Sequence, residues 1–544
     1  MNRRRLFELK RDFLMPQRLM MERIDAALRG RRGPARMSSQ AFLGGMIYLL
    51  RDGQQPTLTR LFRLFDQEST SRELKTFGLK KAPTYAQLRW ALHCLATYSD
   101  VKADKTLPQV VALQALLGVP GQSLMASFLD CLVGATVPDS ASSPMRTVDG
   151  SYVDGHCRPM KAELIPMALK AEAVRLPVRK RLKAEWKRLE AERRWLKVEK
   201  SPSQKELEDA LEQMELEVKP PADRDARPRT ISRPAGGTRH YMGYVLTAQR
   251  RINPDREYIE KIRVGPANDH EYEHALAMLQ RSRAEGMDVQ YFLADRGFSQ
   301  NPTFRSGVRN LDIDLVFDVK SDQRGPDGTW HGCLVIDGWP YLPSLPENLR
   351  DLKGLPITGT RTQKAAWKQQ MAERDRYALI LKERVNARRI RVTSPALLTP
   401  PGKGQRGPGC LHPDLVATMR WRDESLLGIC PGDHAADEAC GLKNATWSAN
   451  FSERTNRNFS AVPFGSRAWQ ELYPGRSASE RGFNIFKNSD MIGLLKGRIR
   501  WRGLPRVTLL FGMAVAAHNL WLTNVPAAAA SPPQKRPMVR LLAA

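Results

Sequence analysis

The chain has 544 residues, more than one ordinary hydrophobic core organises, so we expect three or four structural units. Its 86 Lys and Arg residues outnumber 58 Asp and Glu residues, and the net charge of +28 favours a polyanionic partner such as nucleic acid. The odd number of cysteines, seven, argues against the disulfide framework of a small secreted domain and indicates a reducing cytoplasm.

The N-terminal part of the chain is predicted to be helical. Apolar residues recur at helical spacing through residues 38–132. Thr84 is suitably placed to cap a helix that carries Gln87, Arg89 and His93. Such a helix fits the major groove of DNA, but the same pattern is equally typical of an ordinary amphipathic helix in a bundle.

An α/β pattern begins at Met145. The predicted elements are strands at 146–153, 241–249 and 258–264, a helix at 271–283, a strand at 289–294, a helix at 302–309 and a strand at 313–319. This order of three strands, a helix and further parallel-type strands indicates a mixed sheet flanked by helices.

Two insertions interrupt the predicted α/β unit. In residues 158–238, two apolar stripes separated by Ser-Pro-Ser predict a charged helical hairpin, to which we assign no chemistry. In residues 321–469, strand-like runs predict a β-rich subdomain. These runs cover 333–341, 377–383 and 388–394.

Near the C-terminal end, the most apolar segment is 507–522. It is short of a full membrane span and contains His518 and Asn519, which are costly in lipid, so we predict a buried core helix. The basic N-terminus has no uninterrupted apolar stretch of the kind that a secretory signal requires. No membrane partner is therefore expected.

These patterns predict four regions. They are a helical DNA-binding region at 1–140, an α/β catalytic core at 141–320 plus 470–523 with its hairpin insertion at 158–238, a β-rich insertion at 321–469 and a disordered tail at 524–544.

Three acidic residues stand in contexts that suggest one site. Asp149 follows a strand in RTVDGSYVDG, and Asp295 follows another in YFLADRGFS. Glu480 lies in a predicted helix within ELYPGRSASERGFNIFKN. Asp154, in the same VDG context as Asp149, is a rival for the first position. Carboxylates that meet at a sheet edge repel one another unless a cation neutralises them, and oxygen ligands suit Mg²⁺ or Mn²⁺.

The spacing Y-x2-R-x3-E-x6-K joins Tyr473, Arg476, Glu480 and Lys487. This motif resembles the signature of bacterial insertion-sequence transposases of the DDE class. Asp149 and Asp295 precede it in the order, and in strand-end contexts, similar to those of that family. The resemblance extends over about residues 38–523.

The resemblance implies an α/β RNase H-like catalytic core in which Asp149, Asp295 and Glu480 hold two Mg²⁺ or Mn²⁺ ions. Two such ions stabilise the attacking and leaving oxygens of a phosphodiester displacement. The family pattern further implies that Tyr473 and Arg476 hold DNA phosphates near the cleaved end.

By the same resemblance, Lys487 contacts the DNA backbone from the helix that carries Glu480. The implied function is a transposase that binds the terminal inverted repeats of its element as a homodimer, cleaves double-stranded DNA and joins the ends to target DNA near the bacterial nucleoid. Two alternatives stay open: a non-mobile metal-dependent nuclease of the same fold, and a domesticated or inactive transposase that only binds DNA.

Two further groups of residues have competing interpretations. A zinc site is conceivable within the β-rich insertion, but the spacing lacks a tight C-x2-C knuckle and favours ordinary cysteines. Its candidate ligands are Cys410, His412, Cys430, His434 and Cys440. Trp330 and Trp339 suit stacking on an unpaired base, although core packing is the simpler interpretation.

Overall fold

The computed structural model describes most of the chain, with gaps. The described residues are 1–29, 37–100, 102–118, 122–138, 143–154, 177–178, 180–191, 205–207, 209–210, 223, 225–232, 237–252, 256–330, 333–342, 345–352, 354, 359–386, 389–393, 416–422, 425–429, 448–450, 453–477 and 500–525.

The N-terminal region is helical, as the sequence predicts. Its helices are α1 (Arg3–Leu9), α2 (Arg18–Ala27), α3 (Ser39–Arg51), α4 (Leu58–Asp66), α5 (Ser71–Thr76), α6 (Tyr85–Tyr98), α7 (Pro108–Leu117) and α8 (Leu124–Gly134). Hydroxyl side chains at Ser38, Thr57, Thr70, Thr84 and Ser123 accept hydrogen bonds from backbone amides in the first turns of α3, α4, α5, α6 and α8. These caps explain where the helices begin.

A mixed six-stranded sheet follows. Its strands are β1 (Met145–Asp154), β2 (Arg227–Ser232), β3 (Thr238–Ile252), β4 (Glu257–Pro266), β5 (Tyr291–Ala294) and β6 (Asp314–Phe317). The order is β4-β3-β1-β5-β6, and β2 pairs with the beginning of β3. β1 is antiparallel to β3 but parallel to β5, which in turn is parallel to β6. Five strands lie where the sequence predicts them, and β2 was not predicted.

One face of this sheet is covered by two helices, α9 (Glu271–Ala284) and α11 (Pro302–Asn310), with a short helix α10 (Arg296–Ser299) at the end of β5. Val148 of β1 packs in this layer together with Met278 and Phe292. Because side chains alternate along a strand, Asp149 belongs to the opposite face.

The opposite face carries two separate cores. The larger joins the N-terminal helices to β3 and β4 through a long helix, α15 (Leu504–Asn524), which is buried along most of its length. The predicted core helix is therefore confirmed. None of the helices in the described ranges is both long and apolar enough to cross a membrane.

α15 also completes the outer edge of β4. The buried Asn519 side chain accepts a hydrogen bond from the Ile259 N–H at 3.1 Å and donates one to the Ile259 carbonyl at 2.8 Å. The side-chain amide thus substitutes for a neighbouring strand at a place where the backbone groups of Ile259 would otherwise be buried without partners.

The second core lies beside β5 and β6 and is built by later segments. These are β7 (Pro326–Trp330), β8 (Cys333–Ile336), β9 (Trp339–Tyr341), α12 (Arg361–Asp375), α13 (Glu453–Asn458) and α14 (Arg467–Leu472). Trp339 is buried against Phe459 and donates its indole N–H to the Leu379 carbonyl, so it is a packing residue. The side chain of Trp330 lies outside the described set.

A separate five-stranded antiparallel sheet accompanies this core. Its strands, in order, are β10 (Ile380–Asn386), β11 (Arg389–Thr393), β12 (Val416–Arg422), β13 (Ser425–Ile429) and β14 (Ser448–Asn450). The sequence predicts strands in this stretch but not α12, although Thr360 and Gln363 form a capping box at its start. The boundaries of the β-rich insertion stay a prediction.

Little of the predicted helical hairpin is described. Residues 180–191 are helical, as are the short pieces 205–207 and 209–210. The rest of the hairpin and the predicted tail beyond residue 525 lie outside the described residues.

We expect Asn519→Ala to lower the free energy of unfolding by about 2–4 kcal/mol, because it leaves the N–H and C=O of Ile259 buried without partners. Urea denaturation followed by circular dichroism measures this loss. Asn524→Ala, at the end of α15, is the comparison variant, because its hydrogen bonds to Arg11, Asp12 and the Leu520 carbonyl are exposed or only partly buried. A loss no larger than that of the control would contradict the role of Asn519.

Candidate active site

The pairing of β1 with β5 puts Asp149 and Asp295 level with each other. In this parallel pair, Thr147 lies opposite Leu293. Asp149 follows Thr147 by two residues, and Asp295 follows Leu293 by two residues. With the period of two in strands, both carboxylates belong to one face, the face opposite α9. The N–H of Gly150 donates to Asp149 Oδ1 at 2.9 Å.

Asp295 stands at the point where β5 ends. It is the N-cap of α10 and accepts a hydrogen bond from the Arg296 N–H at 2.7 Å. Its side chain is 49% exposed, so it is accessible to a ligand. The chain turns away immediately after it, which leaves the carboxylate at the sheet edge.

The Tyr473–Arg476 turn packs on the same face. Trp469 donates its indole N–H to the Phe317 carbonyl at the end of β6, and the Tyr473 ring stacks on Trp469 with centroids 4.5 Å apart. Gly475 approaches Leu293 so closely that a Cβ would lie 2.9 Å from that side chain. These contacts fix the turn against β5.

This turn brings Arg476 to Asp295. The guanidinium Nη2 lies 3.6 Å from Asp295 Oδ2, and the arginine side chain is 18% exposed. Arg476, one position of the four-residue motif, thus lies beside the second predicted acid, and Tyr473 belongs to the same turn. Glu480 and Lys487 fall in residues 478–499, outside the described residues, so their positions stay predictions.

Asp154, the rival for the first acid, lies elsewhere on β1. It is five residues beyond Asp149, which is roughly 16 Å along a strand, and its odd offset puts it on the other face. It is exposed and accepts a hydrogen bond from the Met242 N–H at 3.3 Å. This geometry favours Asp149.

A buried arginine lies near Asp149 on the neighbouring strand. Arg250, in β3, is opposite Thr147 and fully buried. Burial lowers the pKa of its guanidinium to about 10, while the negative charges of Glu257 and Asp149 act in the other direction. Arg250 therefore supplies positive charge beneath the site.

Glu271, the first residue of α9, lies close to the acids although no sequence pattern predicted it. Its carboxylate rests on Gly150, directly after Asp149, and interacts with the Tyr152 hydroxyl and with Arg229. Burial raises the pKa of the Glu271 carboxyl, and the charge of Asp295 acts in the same direction. Only the glycine after Asp149 hints at this close approach in the sequence.

Asp318, also not predicted from the sequence, follows β6 as Asp295 follows β5. Ala294 pairs with Phe317, so Asp295 and Asp318 are the next residues on adjacent parallel strands. Asp318 forms an ion pair with Arg324 at 3.0 Å, and burial raises the pKa of its carboxyl. The sequence predicts a strand at 313–319, which would place Asp318 inside the strand, whereas β6 ends at Phe317.

Other predicted sites have different outcomes. The five candidate zinc ligands fall outside the residues whose side chains the structure describes. Within the described part of the chain, no group of three or more His, Cys, Asp or Glu residues is arranged to hold a metal ion.

On α6, the Gln87 side chain accepts a hydrogen bond from the Thr84 N–H at 2.8 Å, and the His93 ring forms a hydrogen bond with the Thr97 hydroxyl. The capping function therefore accounts for Gln87.

A family model described as DDE superfamily endonuclease matches residues 246–328. This small part of the chain runs from β3 to β7 and includes Asp295, but neither Asp149 nor the Tyr473–Arg476 turn. The match supports an activity of nuclease or transposase type on DNA, and such enzymes generally use divalent metal ions. The mixed sheet with flanking helices is compatible with an RNase H-like core. No curated protein and no solved structure matches the chain.

We expect Gly150→Ala to destabilise the protein by about 1–3 kcal/mol, because the added Cβ overlaps the Glu271 carboxyl group. Combining it with Glu271→Ala should recover most of the loss. Gly297→Ala, whose Cβ would meet no atom within 4 Å, is the control. Thermal denaturation of these three variants and of single Glu271→Ala tests this contact, and a double variant no more stable than Gly150→Ala would disprove it.

Proposed function

We propose that this chain is a DNA transposase that binds the terminal inverted repeats of its own insertion sequence and cleaves and joins DNA ends. Its catalytic residues are Asp149, Asp295 and Glu480. The N-terminal helices recognise the repeats, and a homodimer holds two ends together. The proposal combines the family match, the Y-R-E-K motif and the arrangement of the first two acids.

One observation carries this proposal furthest. Arg476, the second residue of the motif, lies 3.6 Å from Asp295, which is itself level with Asp149 on the adjacent strand. The spacing of the motif and the strand-end acids are separate sequence patterns, so their meeting at one sheet edge is not a consequence of either pattern alone. Glu480 follows Arg476 by only four residues in the sequence, so the proposed third acid is close in sequence to this edge.

The donor set suits a hard divalent cation. Asp149 and Asp295 offer carboxylate oxygens on one face, and a backbone N–H from the following residue orients each of them. We propose that these two residues and Glu480 hold Mg²⁺ or Mn²⁺. When bound, a pair of such ions offsets the carboxylate charge and stabilises the attacking and leaving oxygens of the phosphodiester.

The protein groups around the acids position the DNA. Arg476 offers a guanidinium that binds phosphate oxygens through two parallel N–H donors, and its place beside Asp295 puts that phosphate next to the acids. Tyr473, stacked on Trp469, presents its ring edge and hydroxyl from a fixed position. Lys487 extends this contact along the backbone of the same DNA end.

The direct test uses purified protein and DNA that carries the sequences flanking its gene. In Mg²⁺, native protein should cut at the element ends and join them to target DNA, and EDTA should abolish both steps. Asp149→Asn, Asp295→Asn and Glu480→Gln should each reduce cleavage by at least about a hundredfold, since the charge that holds the cation is lost. Their affinity for the ends should stay close to native.

Asp154→Asn is the matched control, because it removes the rival acid from the same strand without touching the proposed site. It should retain cleavage. Loss of activity in Asp154→Asn with retention in Asp149→Asn would reject the assignment of Asp149. Metal-dependent cutting with no preference for the ends would instead indicate a non-mobile nuclease, and binding without cutting would indicate a protein that only binds DNA.

A further inference from the structure

A basic groove lies where two segments that are distant in the sequence meet. Its volume is about 900 Å³, and its walls come from the start of α4, one side of α6 and the segment that leads into α15. The lining residues are Gln54, Gln55, Thr57, Leu58, Thr59, Arg60, Arg63, Tyr85, Leu92, Arg500, Trp501, Arg502 and Arg506. We call this the α4/α15 groove.

The charge of the α4/α15 groove has one sign. The lining named above contains five arginines and no acidic residue. Arg60 is neutralised by an ion pair with Glu68, one of whose bonds is 2.8 Å long. Arg63, Arg500, Arg502 and Arg506 are exposed, and the described part of the chain places no acidic side chain within ion-pair distance of them. Four uncompensated cations around one groove attract a polyanion.

The groove is held in shape by buried contacts. Trp501 is 7% exposed and donates its indole N–H to the Pro56 carbonyl at 2.8 Å, which ties the segment before α15 to the loop before α4. The next amides are bound as well: Asp223 accepts from the Gly503 N–H, and Asp225 accepts from the Leu504 N–H at 2.8 Å. A buried tryptophan between two exposed arginines thus fixes the backbone that presents them.

The chemistry of the lining fits the sugar-phosphate backbone. Guanidinium groups bind phosphate oxygens through paired N–H donors, and neutral donors such as Thr57 and Thr59 are typical additional phosphate contacts. A platform for single strands needs several exposed aromatic rings on which bases stack. In this lining Tyr85 is the exposed aromatic residue, whereas Trp501 is buried, so duplex DNA is the better fit.

The course of the chain connects the groove with the proposed catalytic face. Arg476 lies beside Asp295, and Arg500 is the first residue of the later segment that lines the groove. The intervening stretch contains Glu480 and Lys487. We propose that the α4/α15 groove binds the phosphate backbone of duplex DNA through Arg63, Arg500, Arg502 and Arg506. This inference rests on the proposed function only in taking DNA as the substrate.

The test measures binding without catalysis. Full-length Arg63→Gln/Arg502→Gln/Arg506→Gln protein is titrated in EDTA against a labelled duplex, and fluorescence anisotropy gives Kd at several salt concentrations. Loss of three phosphate contacts should weaken binding by about tenfold or more and reduce the slope of log K against log salt by nearly three. End sequences and unrelated duplexes should be affected alike, since backbone contacts carry no sequence information.

Arg361→Gln/Lys368→Gln/Arg376→Gln is the matched control, because it removes three exposed cations on and just after α12. Equal net charge in the two triple variants excludes a general charge effect. Thermal denaturation confirms that both are folded, and the single variant Arg502→Gln should show a smaller loss in the same direction.

Equal affinities for the two triple variants would overturn the proposal. Weakening confined to single-stranded DNA or to double-stranded RNA would also overturn it, because the groove would then serve a different nucleic acid. Neither result depends on cleavage. If native protein fails to cut DNA but the groove variant still loses duplex binding selectively, the proposed function fails and the groove assignment stands.

Discussion

Parallel pairing of β1 with β5 determines which side chains meet where β5 ends. A shift of one residue in that pairing would turn Asp149 toward α9 and separate it from Asp295. The register is specified by burial on both sides: Val148 and Phe292 pack under α9, whereas Leu293 packs against the second core. The position of the acids is therefore a consequence of the apolar residues between which they lie.

The face of the sheet that carries Asp149 and Asp295 lies between two cores that are built from distant parts of the sequence. The larger core, around α15, covers the β3 and β4 side, and the core around Trp339 covers the β5 and β6 side. Each contributes positive charge at the boundary, Arg250 from within the sheet and Arg476 from the turn before residue 478. This arrangement leaves the Asp295 carboxylate exposed while the strands that carry the acids are packed on both faces.

Periodicity and strand-end acids were sufficient to predict five of the six central strands, α15, and the shared edge of Asp149 and Asp295. These patterns did not predict Glu271, because its position near the acids depends on the packing of α9 against Gly150. They did not predict Asp318 as a strand-end acid either, because the predicted strand continued past it to residue 319. The α4/α15 groove was also beyond reach, because its walls are more than four hundred residues apart in the sequence. Local patterns report local structure, whereas these contacts arise only from tertiary packing.

The position of α15 has a consequence for the order of folding. Proteins emerge from the ribosome N-terminal end first, but the apolar faces of α3 and α8 are covered by a helix that begins at Leu504. The N-terminal helices therefore cannot complete their core until the chain has been synthesised through Asn524. The arginines of residues 500–506 arrive at the same moment, so the α4/α15 groove and the finished core form together, and an interrupted chain has neither.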